Sequence, residues 1–79
     1  MQHFLAERYL ARQDGPSLAL EAGRVRDAAT RLADVRLITT VYVPVDETCF
    51  YLLESESAES AAAAGDFDRI VPVTVAEPS

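Results

Sequence analysis

Apolar and polar residues alternate along two stretches of this chain, residues 35–43 and 48–54, which are separated by the sequence Pro-Val-Asp-Glu. Alternation in segments rich in β-branched and aromatic residues predicts β-strands, and the acidic, proline-containing break between them predicts a hairpin. Similar apolar runs occupy residues 3–10 and 69–75. The pattern therefore predicts four strands, of which the second and third are joined by a short turn.

A helix is predicted between the first two strands, because apolar residues recur there every three or four positions: Leu18, Ala22, Val25, Ala29 and Leu32. Charged residues fall away from this stripe and are expected to face solvent: Glu21, Arg24, Asp27 and Arg31. Asp14 or Gly15 can cap this helix, and Pro16 suits its first turn.

A second, shorter helix is predicted between the third and fourth strands. Ser55 is a suitable N-cap, and Gly65 is a suitable end. Glu56 and Glu59 would lie near the positive end of the helix dipole. The alanines at positions 61–64 favour a helix but bury little area, so this helix must pack closely on the sheet.

The resulting order of elements, βαββαβ, is that of the ferredoxin-like α+β sandwich, in which a four-stranded antiparallel sheet carries both helices on one face. We expect a single domain over residues 1–79, with residues 76–79 as a flexible tail. The other face of the sheet has no helix to cover it, so functional residues are sought there.

The composition excludes several classes of function. A net charge of −6 argues against binding to a nucleic-acid backbone, and the seven basic residues are all arginine, which excludes lysine chemistry such as Schiff-base catalysis. No apolar run approaches the roughly 18 residues of a membrane span, and the first residues lack the pattern of a signal peptide. With its single cysteine, the chain can form no internal disulfide and is expected to be cytoplasmic. Because of its charge and its lack of a membrane-span pattern, it is expected to bind neither nucleic acid nor membrane.

Side chains alternate between the two faces of a strand, so each strand has a helix side and an open side. In the first strand, burying Glu7 under the helices would be costly unless it were paired, whereas Arg8 can extend its head group to solvent. We therefore assign Phe4 and Ala6 to the helix side. The residues expected on the open side are His3, Leu5, Glu7 and Tyr9.

In the second and third strands, the more apolar set is assigned to the helix side: Val35, Leu37, Val41, Val43, Phe50 and Leu52. The open side then holds Arg36, Ile38, Thr40, Tyr42, Cys49, Tyr51 and Leu53. Because such a face is too apolar to remain in water, we expect a second copy to cover it, giving a dimeric α+β barrel with a cavity between two sheets. The residues predicted to bind a ligand there are Glu7, Tyr9, Arg36, Thr40, Tyr42, Cys49 and Tyr51.

Four segments carry a family resemblance: Phe-Leu-Ala-Glu-Arg-Tyr at 4–9, Val-Arg at 35–36, Tyr-Val-Pro-Val-Asp-Glu-Thr-Cys-Phe at 42–50, and Phe-Asp-Arg-Ile at 67–70. Together they resemble a family of small bacterial proteins, long described as a domain of unknown function, that includes a nickel-responsive, nickel-binding member. The resemblance implies a ferredoxin-like fold, a homodimer and, for some members, nickel bound through side chains. The positions that match the family's pattern are Glu7, Arg36, Tyr42, Asp46, Glu47 and Cys49.

The chain departs from this family in its histidines. Many relatives have a histidine in the second helix, where this chain has alanine and serine, and its only histidine is His3. Nickel prefers imidazole together with thiolate or carboxylate ligands. His3 and Glu7 are therefore the candidate Ni²⁺ ligands, and symmetry across a dimer could double their number.

Two functions remain open from the sequence. The first is a homodimeric binding protein that holds a small ligand or a divalent metal between its sheets. The second is a cofactor-free enzyme of the oxygenase, cyclase or isomerase type, with Glu7 as general base and with Arg36 and Tyr42 stabilising an enolate or phenolate. Simpler structural interpretations also stand: an ion pair between Glu7 and Arg36, and Cys49 as a small buried hydrophobe.

Overall fold

The computed structural model of the chain describes residues 1–76 and confirms the predicted order of elements. A short 3₁₀ turn, Pro44–Asp46, joins the second and third strands. The elements are β1 (Gln2–Tyr9), α1 (Gly15–Thr30), β2 (Val35–Val43), β3 (Thr48–Ser55), α2 (Ala58–Ala62) and β4 (Arg69–Val73). Of the predicted tail, Ala76 lies in neither a helix nor a strand, and residues 77–79 lie outside the described part.

The strands form one antiparallel sheet in the order β2-β3-β1-β4, which is the ferredoxin-like arrangement. Both helices pack on one face, α1 chiefly against β2 and α2 against β3 and β4. Over residues 1–76, no helix has the length and apolar character that crossing a membrane requires.

The helix α1 begins where the sequence predicts. The Asp14 carboxylate accepts a hydrogen bond of 2.7 Å from the backbone N–H of Ser17, and Pro16 lies in the first turn. This hydrogen bond lowers the pKa of Asp14 from its ordinary value. Asp14 therefore stays ionised at neutral pH and satisfies one of the free N–H groups at the start of the helix.

The helix α2 begins later and ends earlier than predicted. Its N-cap is Ser57, whose hydroxyl accepts from the N–H of Ser60, whereas Ser55 is the buried last residue of β3. The helix ends at Ala62, and Gly65 lies in the turn that follows. A Cβ at position 65 would lie 2.9 Å from the Phe67 ring, so the close approach of that ring requires glycine.

The core lies between the sheet and the two helices. Its members are Phe4, Ala6, Val25, Ala29, Val35, Cys49, Tyr51, Leu53, Ala61 and Ala64. The two alanines of this set in the α2 region bring that segment close to the sheet, as its small side chains predict. Larger side chains at the margin pack against the core, including Leu18, Leu32 and Phe67.

We expect the Leu53→Ala variant to lose about 2–5 kcal/mol of unfolding free energy, because it leaves a cavity in a packed core. Leu53 is 0% exposed, whereas Leu20 on α1 is 68% exposed. Leu20→Ala is the matched control and should change stability little. Urea denaturation followed by circular dichroism measures both, and an equal effect of the two substitutions would contradict this core.

Candidate functional site

The face of the sheet opposite the helices, here called the open face, is arranged in four rows of side chains that lie side by side across the strands. The first row is Arg36, Glu54, His3 and Val73. The second is Thr39, Leu52, Leu5 and Val71. The third is Val41, Phe50, Glu7 and Arg69, and the fourth is Val43, Thr48 and Tyr9.

The charged groups of the open face are paired within the chain. In the first row, the Glu54 carboxylate lies 3.2 Å from the Arg36 guanidinium and 3.4 Å from His3 Nε2. In the third row, Glu7 Oε2 lies 3.3 Å from Arg69 Nη1. The second row, between these two, carries no charge. The open face is therefore an apolar surface crossed by two rows of paired charges.

The structure confirms the open-side placement of the β1 residues, but it does not bring Glu7 to Arg36. Glu7 lies on β1 in the third row, and Arg36 lies on β2 in the first row, with β3 between the two strands. The predicted ion pair between Glu7 and Arg36 is therefore wrong. Each of the two residues has a different partner, Arg69 and Glu54 respectively.

The predicted faces of β3 are reversed in the structure. Cys49, Tyr51 and Leu53 are fully buried on the helix side, and Phe50 and Leu52 lie on the open face. The prediction was wrong because it ranked the two sets by apolar character alone. Tyr51 can be buried because its hydroxyl has a partner beneath α1, as described below.

The prediction of which β2 side chains face the helices is correct before residue 38 and wrong after it. The pairing of β2 with β3 shifts between Leu37 and Thr39, which makes Ile38 an extra residue, a β-bulge. A shift of one residue moves every later side chain to the opposite face. Thr40 and Tyr42 therefore turn to the helix side, and Val41 and Val43 turn to the open face.

A cluster of polar side chains beneath α1, here called the Glu21 cluster, consists of the buried Glu21, Tyr51 and Cys49 and the half-buried Arg8. Glu21 Oε1 accepts hydrogen bonds from Arg8 Nη1 at 2.7 Å and from the Tyr51 hydroxyl at 2.9 Å. Glu21 was expected to face solvent but is buried. Its spacing indicates this, because Glu21 lies three residues after Leu18 and four before Val25, on the buried face of α1. Its partners on β1 and β3 are not indicated by any local pattern.

The two titratable groups of β3 in this cluster stay protonated. Burial raises the pKa of the Cys49 thiol above its ordinary value. Burial also raises the pKa of the Tyr51 hydroxyl far above its ordinary value, and hydrogen bonds to the Cys49 and Glu21 side chains add to this effect. Cys49 is therefore a poor nucleophile, and the Tyr51 hydroxyl remains a donor to Glu21 at neutral pH.

Glu47, one of the positions that match the family's pattern, has a structural role. It has a left-handed backbone, with φ of 48°, at the end of the hairpin turn. Its carbonyl accepts from Leu10 N at 2.8 Å, and its carboxylate accepts from Arg12 N at 3.0 Å. Tyr42 also binds the loop between β1 and α1, because its hydroxyl donates to Leu10 O at 2.7 Å. Both residues therefore anchor the β1–α1 loop.

The predicted metal ligands do not come together. His3 and Glu7 lie four residues apart on one strand, a separation of about 13 Å at 3.3 Å per residue. Within the part of the chain that the structure describes, no group of three or more His, Cys, Asp or Glu side chains could hold a metal ion. The carboxylate beside His3 is instead that of Glu54, and it is shared with Arg36.

Comparison with known proteins supports the fold. The crystal structure of SCO4226 from Streptomyces coelicolor A3(2) matches with a TM-score of 0.72 and 22% sequence identity, covering 95% of this chain and 99% of that one. No protein-family model and no curated protein matches the sequence. At this identity the similarity shows a shared fold over nearly the whole length of both chains.

We expect Tyr51→Phe to lower the unfolding free energy by about 1–3 kcal/mol at neutral pH, because it removes a buried hydrogen bond to a carboxylate. The deficit should narrow as pH rises above 10.0, the ordinary pKa of tyrosine. A group whose pKa is raised in the folded state stabilises the fold fully below its unfolded pKa and loses this contribution above it. The Tyr51→Phe variant has no hydroxyl at position 51, so it does not lose stability in this way.

Tyr9→Phe is the matched control, because Tyr9 is 60% exposed and its hydroxyl lies a long 3.4 Å from Glu47. It should change stability little at neutral pH. Urea denaturation of the three proteins at neutral and alkaline pH measures these effects. A deficit for Tyr51→Phe that is independent of pH would contradict the assigned protonation of Tyr51.

Proposed function

We propose that this chain is a small binding protein that acts as a homodimer, with a second copy covering the open face. The observation that supports this is the continuous apolar surface formed by Leu5, Leu52, Val71, Phe50 and Val41. An apolar surface of this kind, bordered by polar residues, is typical of a protein interface. A small domain of this size also gains stability from association, because its own core is modest.

A second copy is the partner that suits the charges of this face. A two-fold interface places the same surface on both sides, so the surface must tolerate itself. The first row contains Arg36, His3 and Glu54, and the third contains Glu7 and Arg69. Because each of these two rows carries both signs of charge, already paired, two copies can meet without large repulsion between like charges.

The ligand in this proposal lies between the two sheets, where the polar groups interrupt the apolar surface. Of the predicted ligand-binding residues, Glu7, Tyr9 and Arg36 lie on the open face, and His3, Glu54 and Arg69 join them there. Thr40, Tyr42, Cys49 and Tyr51 are excluded from such a cavity because they lie on the helix side. The ligand space is therefore more apolar than the sequence predicts.

The enzymatic alternative has less support. It requires Glu7 as general base beside Arg36 and Tyr42, and a general base must lie within hydrogen-bond reach of the reacting group while its stabilising partners surround it. In one chain Glu7 is paired with Arg69, Arg36 lies two rows away, and Tyr42 lies on the other face. We therefore favour a binding function.

Nickel binding, which the family resemblance implies, fits the donor set of one chain poorly. His3 with the Glu54 carboxylate provides two ligands, and Arg36 competes for that carboxylate. A complete set of nickel ligands would need His3 and Glu54 from a second copy as well. We therefore propose that any nickel site depends on the dimer and on His3.

We expect sedimentation equilibrium of the wild type to give twice the chain mass of 8.6 kDa at micromolar concentration. Val41→Asp should raise the dimer dissociation constant about tenfold or more, because it places an unpaired carboxylate in the interface. Val41 is 53% exposed, so the substitution spares the core.

Val45→Asp is the matched control for the dimer. Val45 is 90% exposed in the turn between β2 and β3, away from the four rows of the open face. It makes the same chemical change at a site outside the proposed interface and should leave the dimer intact. A monomeric wild type, or equal effects of the two aspartates, would reject the proposed interface.

We expect nickel titration calorimetry to give weak binding that His3→Ala removes, because imidazole is the strongest nickel ligand on the open face. Val41→Asp should weaken the same binding, because it separates the two ligand pairs. Glu7→Gln is the control, since Glu7 lies about 13 Å along β1 from His3 at 3.3 Å per residue. Tight nickel binding by the His3→Ala variant would show that the ligands lie elsewhere.

A further inference from the structure

A cleft of about 310 Å³ lies on the helix side of the sheet, between the end of β1 and the first half of α1. It is here called the α1 cleft. Its lining consists of Arg8, Leu10, Gln13, Ser17, Leu20, Glu21 and Arg24. The cleft is on the opposite side of the sheet from the open face. A second copy bound at the open face would therefore leave the α1 cleft accessible.

The two oxygens of the buried Glu21 carboxylate differ in their partners. Oε1 accepts two hydrogen bonds, from Arg8 and Tyr51. Within residues 1–76, Oε2 accepts no hydrogen bond, and Arg24 Nη1 lies 3.7 Å from it. A carboxylate oxygen has two acceptor positions, and Glu21 lines the α1 cleft. Oε2 is therefore suited to a ligand that donates hydrogen bonds.

Two guanidinium groups, those of Arg8 and Arg24, lie beside the Glu21 carboxylate and have N–H donors that make no hydrogen bond within the described residues. Arg8 donates one hydrogen bond within the described residues, out of five N–H groups. The Arg24 side chain is 79% exposed and forms no hydrogen bond there. Guanidinium groups bind carboxylates well, because their N–H groups match the two oxygens in geometry. The cleft thus presents an acceptor for a cation and donors for an anion side by side.

The remaining lining indicates the rest of the ligand. Leu10 and Leu20 supply apolar contact, and Gln13 and Ser17 supply neutral polar groups. The volume of about 310 Å³ is at the low end for ligand pockets, which limits the ligand to a small molecule. A simple anion would meet the negative charge of Glu21, and a simple amine would meet the two arginines.

We propose that the α1 cleft binds a small aliphatic zwitterion of the amino-acid class. Its ammonium group donates to Glu21 Oε2, its carboxylate accepts from Arg8 and Arg24, and its aliphatic part lies against Leu10 and Leu20. This site is independent of the dimer and of the ligand space on the open face. It assigns a role to the accessible oxygen of Glu21, which the packing of the core does not use.

The test uses three related probes, titrated into the full chain and followed by amide and arginine side-chain NMR shifts. L-leucine carries both charged groups, isocaproate lacks the ammonium, and isopentylamine lacks the carboxylate. We expect L-leucine to bind in the millimolar range or tighter and to shift signals of Ser17 and Glu21. Each of the other probes should bind about tenfold more weakly, which corresponds to one lost charged contact.

Arg24→Gln should weaken L-leucine binding about tenfold. Because Arg24 is largely exposed, this variant keeps the fold. Arg31→Gln is the matched control: it removes the same charge just beyond the end of α1 from a residue that does not line the cleft, and binding should be unchanged.

Three results would overturn the proposal: no shifts with L-leucine at millimolar concentration, equal binding of isocaproate, or equal effects of the two arginine substitutions. None of them bears on the dimer, because sedimentation equilibrium tests that interface separately. Conversely, a monomeric chain that still binds L-leucine would support this site and reject the proposed homodimer.

Discussion

The arrangement of the whole molecule depends on the burial of Glu21. Its carboxylate lies between α1 and the sheet, where charge is tolerated only because Arg8 and Tyr51 donate to the same oxygen. These contacts tie α1 to β1 and β3 and hold Tyr51 on the helix side. Once Tyr51 is inside, alternation along the strand places Cys49 and Leu53 inside as well. Phe50 and Leu52 are then left on the open face, whatever their apolar character.

The β-bulge at Ile38 has a similar effect on the neighbouring strand. With Val35 and Leu37 facing the helices, an unbroken β2 would also bury Val41 and Val43 and expose Thr40 and Tyr42. The extra residue reverses this, so Tyr42 reaches the carbonyl of Leu10 and Val41 joins the open face. The Thr40 hydroxyl is buried there, and no hydrogen bond within residues 1–76 reaches it. The bulge therefore increases the apolar area of the open face.

The open face and the α1 cleft, to which we assign functions, lie on opposite sides of the same sheet and share β3. Along β3, Phe50 and Leu52 belong to the open face, while Tyr51 between them binds Glu21 at the α1 cleft. The two surfaces are thus back to back across a single sheet. Association of two chains through one of them would leave the other free for a ligand, and changes in the packing of β3 would reach both.

The sequence by itself determined the order of the elements, the start of α1 to within residues 14–16, the hairpin at residues 44–47 and the faces of β1. Caps and turns depend on residues within a few positions along the chain, and the faces of β1 follow from comparing the cost of burying two adjacent residues, Glu7 and Arg8. Tertiary structure alone decided the faces of β3 and the second half of β2, the partners of Glu21, and the separate partners of Glu7 and Arg36. Each of these depends on a partner distant in sequence: Glu21 binds residues 13 and 30 positions away. A pairing shift of one residue likewise depends on the adjoining strand, so no local pattern predicts it.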